Sequence, residues 1–321
     1  MSVSIKSTDL DFANIKNALK SYLQEKDEFT DYNFEGSALN NILDVLAYNT
    51  HINGLTANFA INESFLNTAQ LRSSVVSLAN GIGYVPRSRN ASSAVVNMYI
   101  NIPDVSRPAV VQLPKDTKFT TEVEGTSYTF RTIEKFTATP DINGLYEFKI
   151  SDGSKNITIY EGEQKSKTFY VGEVDEQQVY VITDDTIDTS TLAVNVYPTV
   201  TSPASAAEEY TDISNSSRIT ASSTFYQIKE VPNGYYELVF GDGLTTGKRP
   251  TPGNKIVISY LSAKGPDANG ATLFNPQSAI NVEDFGNYTL GITTISESAG
   301  GAVKETIESI RQNAPIAFSS Q

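Results

Sequence analysis

The sequence of 321 residues has no cysteine, and its single histidine is His51. The lack of cysteine excludes disulfide bonds, thiol catalysis and thiolate metal sites. A Ser-His-Asp triad would have to use His51, and a zinc site would lack most of its usual ligands. We therefore predict no metal site and no cofactor, and we interpret His51 as an ordinary residue of a long helix.

Basic residues are also scarce, with 24 Lys and Arg against 37 Asp and Glu and a net charge of -13. Nucleic acid would be repelled, because neutralising phosphates requires clustered Lys and Arg. No apolar run approaches the roughly 18 residues of a membrane span, and residues 1–10 lack the apolar region of a signal peptide. We expect a soluble intracellular product with no nucleic-acid partner and no membrane insertion.

Carboxylate pairs are the one remaining candidate for catalysis. The adjacent acids are Asp184 with Asp185 and Glu208 with Glu209, and Glu173, Asp175 and Glu176 lie nearby. General acid/base pairs face each other across a cleft, whereas neighbours in a strand point to opposite sides. We interpret these acids as solvated strand ends and predict that the chain is not an enzyme. A glycan hydrolase that uses Asp or Glu is the alternative.

Residues 1–90 have the apolar spacing of helices. Phe12, Ile15, Leu19, Tyr22 and Leu23 repeat at three and four residues. Ser37 is a suitable N-cap for a longer helix, whose apolar positions are Leu39, Ile42, Leu43, Leu46, Ile52, Leu55 and Phe59. A third helix is predicted over Leu71 to Ala79, with Gly81 as its C-cap.

From residue 91 the apolar spacing changes to two. Val95, Met98 and Ile100 begin a region rich in strands, and Asn143-Gly144 and Asp242-Gly243 are turn signals between strands. We predict mainly antiparallel packing over 91–292. The stretch 200–217 is rich in Ser, Thr, Ala and Pro and is predicted to be a loop or a linker between two subdomains.

The densest glycine motif is Phe240-Gly241-Asp242-Gly243, followed by Gly247 and Gly253. It lacks the strand-to-helix context of a nucleotide fingerprint and the several oxygen ligands of a calcium loop. We predict a structural turn in which the glycines permit positive φ and Asp242 accepts hydrogen bonds from turn amides.

The last segment returns to a helical pattern. Val303, Ile307 and Ile310 share one face after the turn Ser298 to Gly301, and Asn313 and Pro315 are predicted to close the helix. The fold class is therefore α+β and multidomain. It has a helical region at 1–90, a β-rich body at 91–292 and the start of a further domain at 293–321.

Several blocks of sequence follow one another in a fixed order. The first blocks are Tyr32 to Ser37, Leu43 to His51, Asn62 to Leu66, Ala69 to Val76 and Gly83 to Ser88; the later ones are Phe240 to Gly253, Ile256 to Tyr260 and Ser298 to Pro315. In this order they resemble the large baseplate wedge subunit of contractile-tailed phages, in the Baseplate J-like family. The family's pattern continues beyond Gln321, so the resemblance implies that the domain starting at 293 is truncated.

The resemblance implies a structural role. Members of this family are wedge scaffolds whose paired copies join another wedge protein through helical bundles, within the tail baseplate of the virion. The expected partners are other wedge subunits and a second copy of this chain, with assembly in the host cytoplasm. A host-binding adhesin is a further alternative.

The helical faces allow two interpretations, packing within their own domain or docking on partner helices. The second predicts an interface at Phe12, Ile15, Leu19, Tyr22, Leu39, Ile42, Leu46 and Phe59.

Overall fold

The computed structural model describes residues 11–26, 28, 33, 36–103, 106–172, 178–215 and 218–319. They form two compact units. The helical unit comprises residues up to 85 together with 306–321, and residues 86–305 form the second unit, called the β body. The predicted α+β multidomain class, a helical segment followed by mainly antiparallel β domains, is confirmed.

The helical unit contains four helices among the described residues: α1 (Phe12–Gln24), α2 (Ala38–Glu63), α3 (Arg72–Gly81) and α4 (Ile307–Ser319). The Ser37 side chain accepts the Asn40 N–H at 3.0 Å and so caps α2, as the sequence predicted. Val75 and Val76 of α3 pack with Ile310 and Ala314 of α4 in one buried apolar cluster. No helix in the described ranges is long and apolar enough to cross a membrane.

Two predicted helix ends were wrong. Gly81 is still helical, and the residue with positive φ after α3 is Gly83, at 82°. Helix α4 continues through Pro315 to Ser319 instead of closing there. Proline removes one backbone N–H donor, but Ile310 and Ala314 are fully buried, and that packing offsets the lost hydrogen bond.

The β body contains eighteen strands in the described ranges. In chain order they are β1 (Ser93–Asn101), β2 (Val111–Leu113), β3 (Lys118–Val123), β4 (Thr126–Arg131), β5 (Phe136–Ala138), β6 (Leu145–Glu147), β7 (Ile157–Glu161), β8 (Glu163–Tyr170), β9 (Tyr180–Ile182), β10 (Ile187–Tyr197), β11 (Glu208–Asp212), β12 (Phe225–Glu230), β13 (Tyr236–Phe240), β14 (Lys255–Ser262), β15 (Asn275–Pro276), β16 (Ile280–Val282), β17 (Gly286–Tyr288) and β18 (Gly291–Ala299).

Most of these strands form two seven-stranded sheets. The first has the order β15-β3-β4-β7-β1-β18, with β6 also paired to β1; the second has the order β8-β14-β10-β11-β12-β13-β9. Strands β11 and β12 are parallel, and the other described pairs are antiparallel. Each sheet has its own apolar core, so the β body contains two subdomains.

The subdomain boundaries differ from those predicted. Within 200–217 the chain forms β11, because Tyr210 is buried between β10 and β12 while its neighbours remain exposed. The second sheet instead begins at Glu163 and ends at Ser262. The predicted boundary at 292–293 falls inside β18, which pairs with β1 from Gly291 to Ala299. Local sequence patterns can indicate where a strand lies, but they do not show that β18 returns to pair with β1, far earlier in the chain.

Glu161, at the end of β7, is a buried carboxylate between the two subdomains. Its Oε2 accepts the Lys264 N–H at 2.9 Å. Burial raises the pKa of the Glu161 carboxyl above its ordinary 4.5, although this hydrogen bond and the charges of Lys264 and Arg131 act in the opposite direction. The folded state therefore binds more protons than the unfolded state between pH 4.5 and the raised pKa, and stability falls as pH rises through that window.

We expect Glu161→Gln to raise the melting temperature at pH 7.5, with the gain disappearing near pH 4. Glutamine cannot ionise, yet its carbonyl can still accept the Lys264 N–H. The measurement is thermal unfolding at both pH values. Glu163→Gln is the matched control, since it removes the same charge from an exposed neighbour. If the wild type were more stable than the Glu161→Gln variant at pH 7.5, a raised pKa of the Glu161 carboxyl in the folded state would be contradicted.

Candidate functional site

Helices α1 and α2 pack against each other along one face of α2. Ile15 of α1 is buried, as are Leu43 and Ala47 of α2. Lys16 forms an ion pair with Asp44 beside this contact. The packing against α1 buries one face of α2.

The eight residues predicted to face partner helices divide into three groups. Ile15 is 8% exposed, so its prediction as a partner contact is corrected: α2 covers it within the chain. Phe12, Leu19 and Leu39 are half-buried. Tyr22, Ile42, Leu46 and Phe59 are exposed. Spacing alone identified the apolar residues but could not show which of them α1 and α2 cover for each other.

A second apolar face of α2 lies opposite the buried one. Its residues, which we call the α2 stripe, are Val45 (68% exposed), Tyr48 (61%), Ile52 (39%), Leu55 (52%) and Phe59 (49%). They alternate at spacings of three and four residues, which is the a/d pattern of a coiled-coil seam. Of these five residues, only Phe59 was predicted to contact a partner. Ile52 and Leu55 were predicted only as apolar positions of the helix, and Val45 and Tyr48 were not predicted. The heptad spacing was the signal that would have found them.

The α2 stripe is a continuous row of exposed apolar side chains on α2. Scattered exposed apolar residues are normal, but a contiguous row marks a surface for another molecule. A facing helix with the same heptad pattern would insert its side chains between those of the stripe. Ile42 and Leu46 lie between the stripe and the buried face, so they are placed to flank such a contact.

The glycine motif forms a tight turn after β13. Asp242 Oδ1 accepts the N–H groups of Leu244, Thr245 and Thr246, each at 2.8 Å, and Oδ2 accepts the Thr245 hydroxyl at 2.6 Å. The Thr245 hydroxyl and these backbone donors hold the pKa of the Asp242 carboxyl well below its usual range.

Glycine is required in this turn for two different structural reasons, positive φ and close neighbouring atoms. Gly243, Gly247 and Gly253 have positive φ, as the predicted turn requires. Gly241 instead has close neighbours: a Cβ there would lie 2.2 Å from the Thr246 carbonyl oxygen. A Cβ on Gly247 would lie 2.3 Å from the Phe225 ring.

Two of the acids considered for catalysis, Asp184 and Glu208, form structural contacts. Asp184 accepts Lys165 Nζ at 3.0 Å and the Thr186 hydroxyl at 2.6 Å. Burial acts to raise the pKa of the Asp184 carboxyl, but these hydrogen bonds outweigh it and lower the pKa. Glu208 pairs with Lys248. A general acid needs the opposite shift.

The other residues considered for catalysis or metal binding are the remaining acids and His51. Glu173, Asp175 and Glu176 lie outside the described residues. His51 is half-buried on α2. Across the described ranges, no group of three His, Cys, Asp or Glu side chains is arranged to hold a metal ion.

Two comparisons by sequence point to the same kind of protein. Residues 11–84 match the family model described as baseplate wedge protein gp6-like, helical domain. The chain is 31% identical to the baseplate wedge protein gp6 of Enterobacteria phage T4 over 335 aligned positions, which cover 97% of this chain and 47% of that protein. The chain thus spans about half the length of the curated relative that it matches.

Two solved structures are similar at low scores. The type VI secretion system TssK-TssF-TssG baseplate subcomplex gives a TM-score of 0.40 at 7% identity, covering 87% of this chain and 78% of that chain. The baseplate of the anti-feeding prophage gives 0.30 at 11% identity, covering 98% and 61%. At these scores the two likenesses carry no argument about this chain.

Proposed function

We propose that this chain is a structural subunit of the baseplate wedge in a contractile phage tail, where it holds other wedge subunits in place through protein contacts. The proposal is supported by the 31% identity to a baseplate wedge protein along nearly the whole chain. It places the chain in the tail baseplate of the virion.

The observation that carries the mechanism is the α2 stripe, which lies inside the residues that match the gp6-like helical domain. Each large apolar side chain that becomes fully buried contributes about 1.5–3 kcal/mol. Burying the exposed parts of five such residues in one row opposes the ordering cost of association and favours a helical contact. The partners are other wedge subunits, with a second copy of this chain among them.

The β body acts in this proposal as a stiff spacer between attached subunits. Its two sheets have separate buried cores, and such cores deform little. The finer assignment to the Baseplate J-like family rests on the glycine turn after β13 and on the blocks from 256 to 315. The proposal includes no catalytic step, and the engaged state of Asp184 and Glu208 supports that view.

The direct test is cryo-electron microscopy of purified tails that carry an affinity-tagged copy of this chain. We expect tagged chain in the ring at the end of the tail, at a fixed number per wedge. Tails that assemble without the chain would overturn the proposal. So would turnover of a cell-wall or capsule polymer that is lost when a single carboxylate is replaced.

A further inference from the structure

The two subdomains of the β body are connected by two chain crossings that lie side by side. The chain enters the second subdomain at Gly162, between β7 and β8, and leaves it after Ser262. A Cβ on Gly162 would lie 2.8 Å from the Ser262 carbonyl oxygen. Gly162 also has a φ of 131°, which favours glycine. Two adjacent crossings permit rotation about a single axis, as in a hinge.

The apolar core of each subdomain belongs to its own sheet. The buried cluster of the first sheet and that of the second have no residue in common within the described residues. A rotation at the crossings would leave both clusters packed. Burial of these clusters therefore does not by itself fix the arrangement of the two subdomains.

Buried carboxylates are concentrated where the subdomains meet. Among the described residues, the acids that are at most 5% exposed are Glu161, Asp188, Glu230 and Glu305. Burying a charge is costly unless it has a partner. Glu161 has the Lys264 N–H, at the second crossing. The other three have partners in residues 86–92 and 300–305, which we call the neck.

The neck extends β1 and β18 as a paired segment of the first subdomain. Residues 86–92 precede β1, and residues 300–305 follow β18. The Asn90 N–H donates to the Ala302 carbonyl at 3.0 Å, and the Ala302 N–H donates to the Asn90 carbonyl at 3.2 Å. Glu305 Oε2 accepts the Arg87 N–H at 2.9 Å, and the Glu305 N–H donates to the Arg87 carbonyl at 3.0 Å. These bonds hold the two halves of the neck together.

The second subdomain contacts the neck at two places, of which the first consists of hydrogen bonds. Asp188 Oδ2 accepts the Ala91 N–H at 2.7 Å, and the Thr189 N–H donates to Ser88 Oγ at 2.9 Å. Asp188 Oδ1 accepts the Ser190 N–H at 2.9 Å. Both oxygens of this buried carboxylate therefore have donors, one of them from the neck.

The second contact is a buried ion pair. Lys304 Nζ of the neck lies 2.9 Å from Glu230 Oε1 in β12 and donates to the Gly234 carbonyl at 2.6 Å. The ammonium group also lies 4.8 Å from the centre of the Tyr236 ring. Opening the pair would return both ions to water and recover hydration free energy that was lost on burial. The pair therefore specifies the closed arrangement more than it stabilises it.

We propose that the neck contacts form a latch and that the adjacent crossings at Gly162 and Ser262 form its hinge. With the Lys304–Glu230 pair closed, the two subdomains move as one body. With the pair open, the second subdomain turns about the crossings while each sheet stays folded and stiff. The inference concerns the β body alone and does not depend on the wedge role.

The test measures distances between pairs of spin labels in the full chain by double electron–electron resonance. Because the sequence has no cysteine, labels attach only to introduced ones. Ser127→Cys with Ser205→Cys reports across the hinge, and Ser166→Cys with Ser205→Cys reports within the second subdomain; all three positions are exposed. We expect Glu230→Gln with Lys304→Met, which removes both charges together, to broaden the distance distribution across the hinge at least about twofold. The distribution within the second subdomain should not change.

The matched control is Asp184→Asn with Lys165→Met, which removes an ion pair inside the second subdomain and should leave both distributions unchanged. Thermal unfolding establishes that each variant is folded. A distribution across the hinge that stays narrow in the latch variant would overturn the proposal. So would equal broadening in the control, or broadening within the second subdomain, because the pair would then support that subdomain's own fold. None of these outcomes decides whether the chain enters a tail.

Discussion

Changing Ile52 and Leu55 to aspartate is expected to weaken association of this chain with its wedge partners by at least about 100-fold. Both side chains belong to the α2 stripe and are partly exposed in the isolated chain. A fully exposed side chain of this kind gains roughly 1.5–3 kcal/mol on burial, and about half of each is exposed here, so the two together contribute roughly 1.5–3 kcal/mol. Each 1.4 kcal/mol is about tenfold in affinity. Aspartate would in addition place an unpaired charge in the contact.

The measurement is co-purification after co-expression with the other wedge proteins, followed by titration of the purified components. The folded state of the variant is checked by thermal unfolding, which should be nearly unchanged because neither side chain supports the chain's own core. Asn49→Asp with Asn53→Asp is the matched control, since it adds two charges at exposed polar positions of the same helix. Normal assembly of the stripe variant would count against docking through α2.

A second pair distinguishes the two exposed sides of the helix. Ile42→Asp with Leu46→Asp tests the positions that spacing alone indicated. We expect a smaller loss than for the stripe, because these residues flank the heptad row. If the Ile42 and Leu46 pair proved the more damaging, the partner would approach from that side of α2.

The helices show which features of the fold can be predicted from the sequence and which cannot. Ser37 and the apolar spacing were enough to predict α2, since capping and amphipathic periodicity act locally. The same spacing could not tell Ile15, which α2 covers, from Leu55, which lies open. That distinction depends on which helix packs where, and packing is a property of the tertiary fold.

The sheets depend even more on contacts between distant residues, which local sequence patterns do not show. Alternation identified β1, yet β11 was predicted as a loop because its polar neighbours outweigh Tyr210. The partner of β18 is β1, about 200 residues earlier, and no local pattern records such a pairing. The contacts of the Tyr180 and Tyr210 rings with Phe240 could not be predicted for the same reason, because these residues come together only in the folded second sheet.

Gly241→Ala is expected to destabilise the β body by about 3 kcal/mol or more, against about 1 kcal/mol for Gly253→Ala. The methyl group at 241 would overlap the Thr246 carbonyl, and a backbone atom inside a hydrogen-bonded turn cannot move aside without breaking the Asp242 bonds. Gly253 has positive φ but no neighbour within 4 Å, so alanine there meets only the cost of a left-handed backbone. Chemical denaturation of the two variants measures the difference. Equal stabilities would mean that the turn after β13 can rearrange to accommodate the added methyl group at little cost.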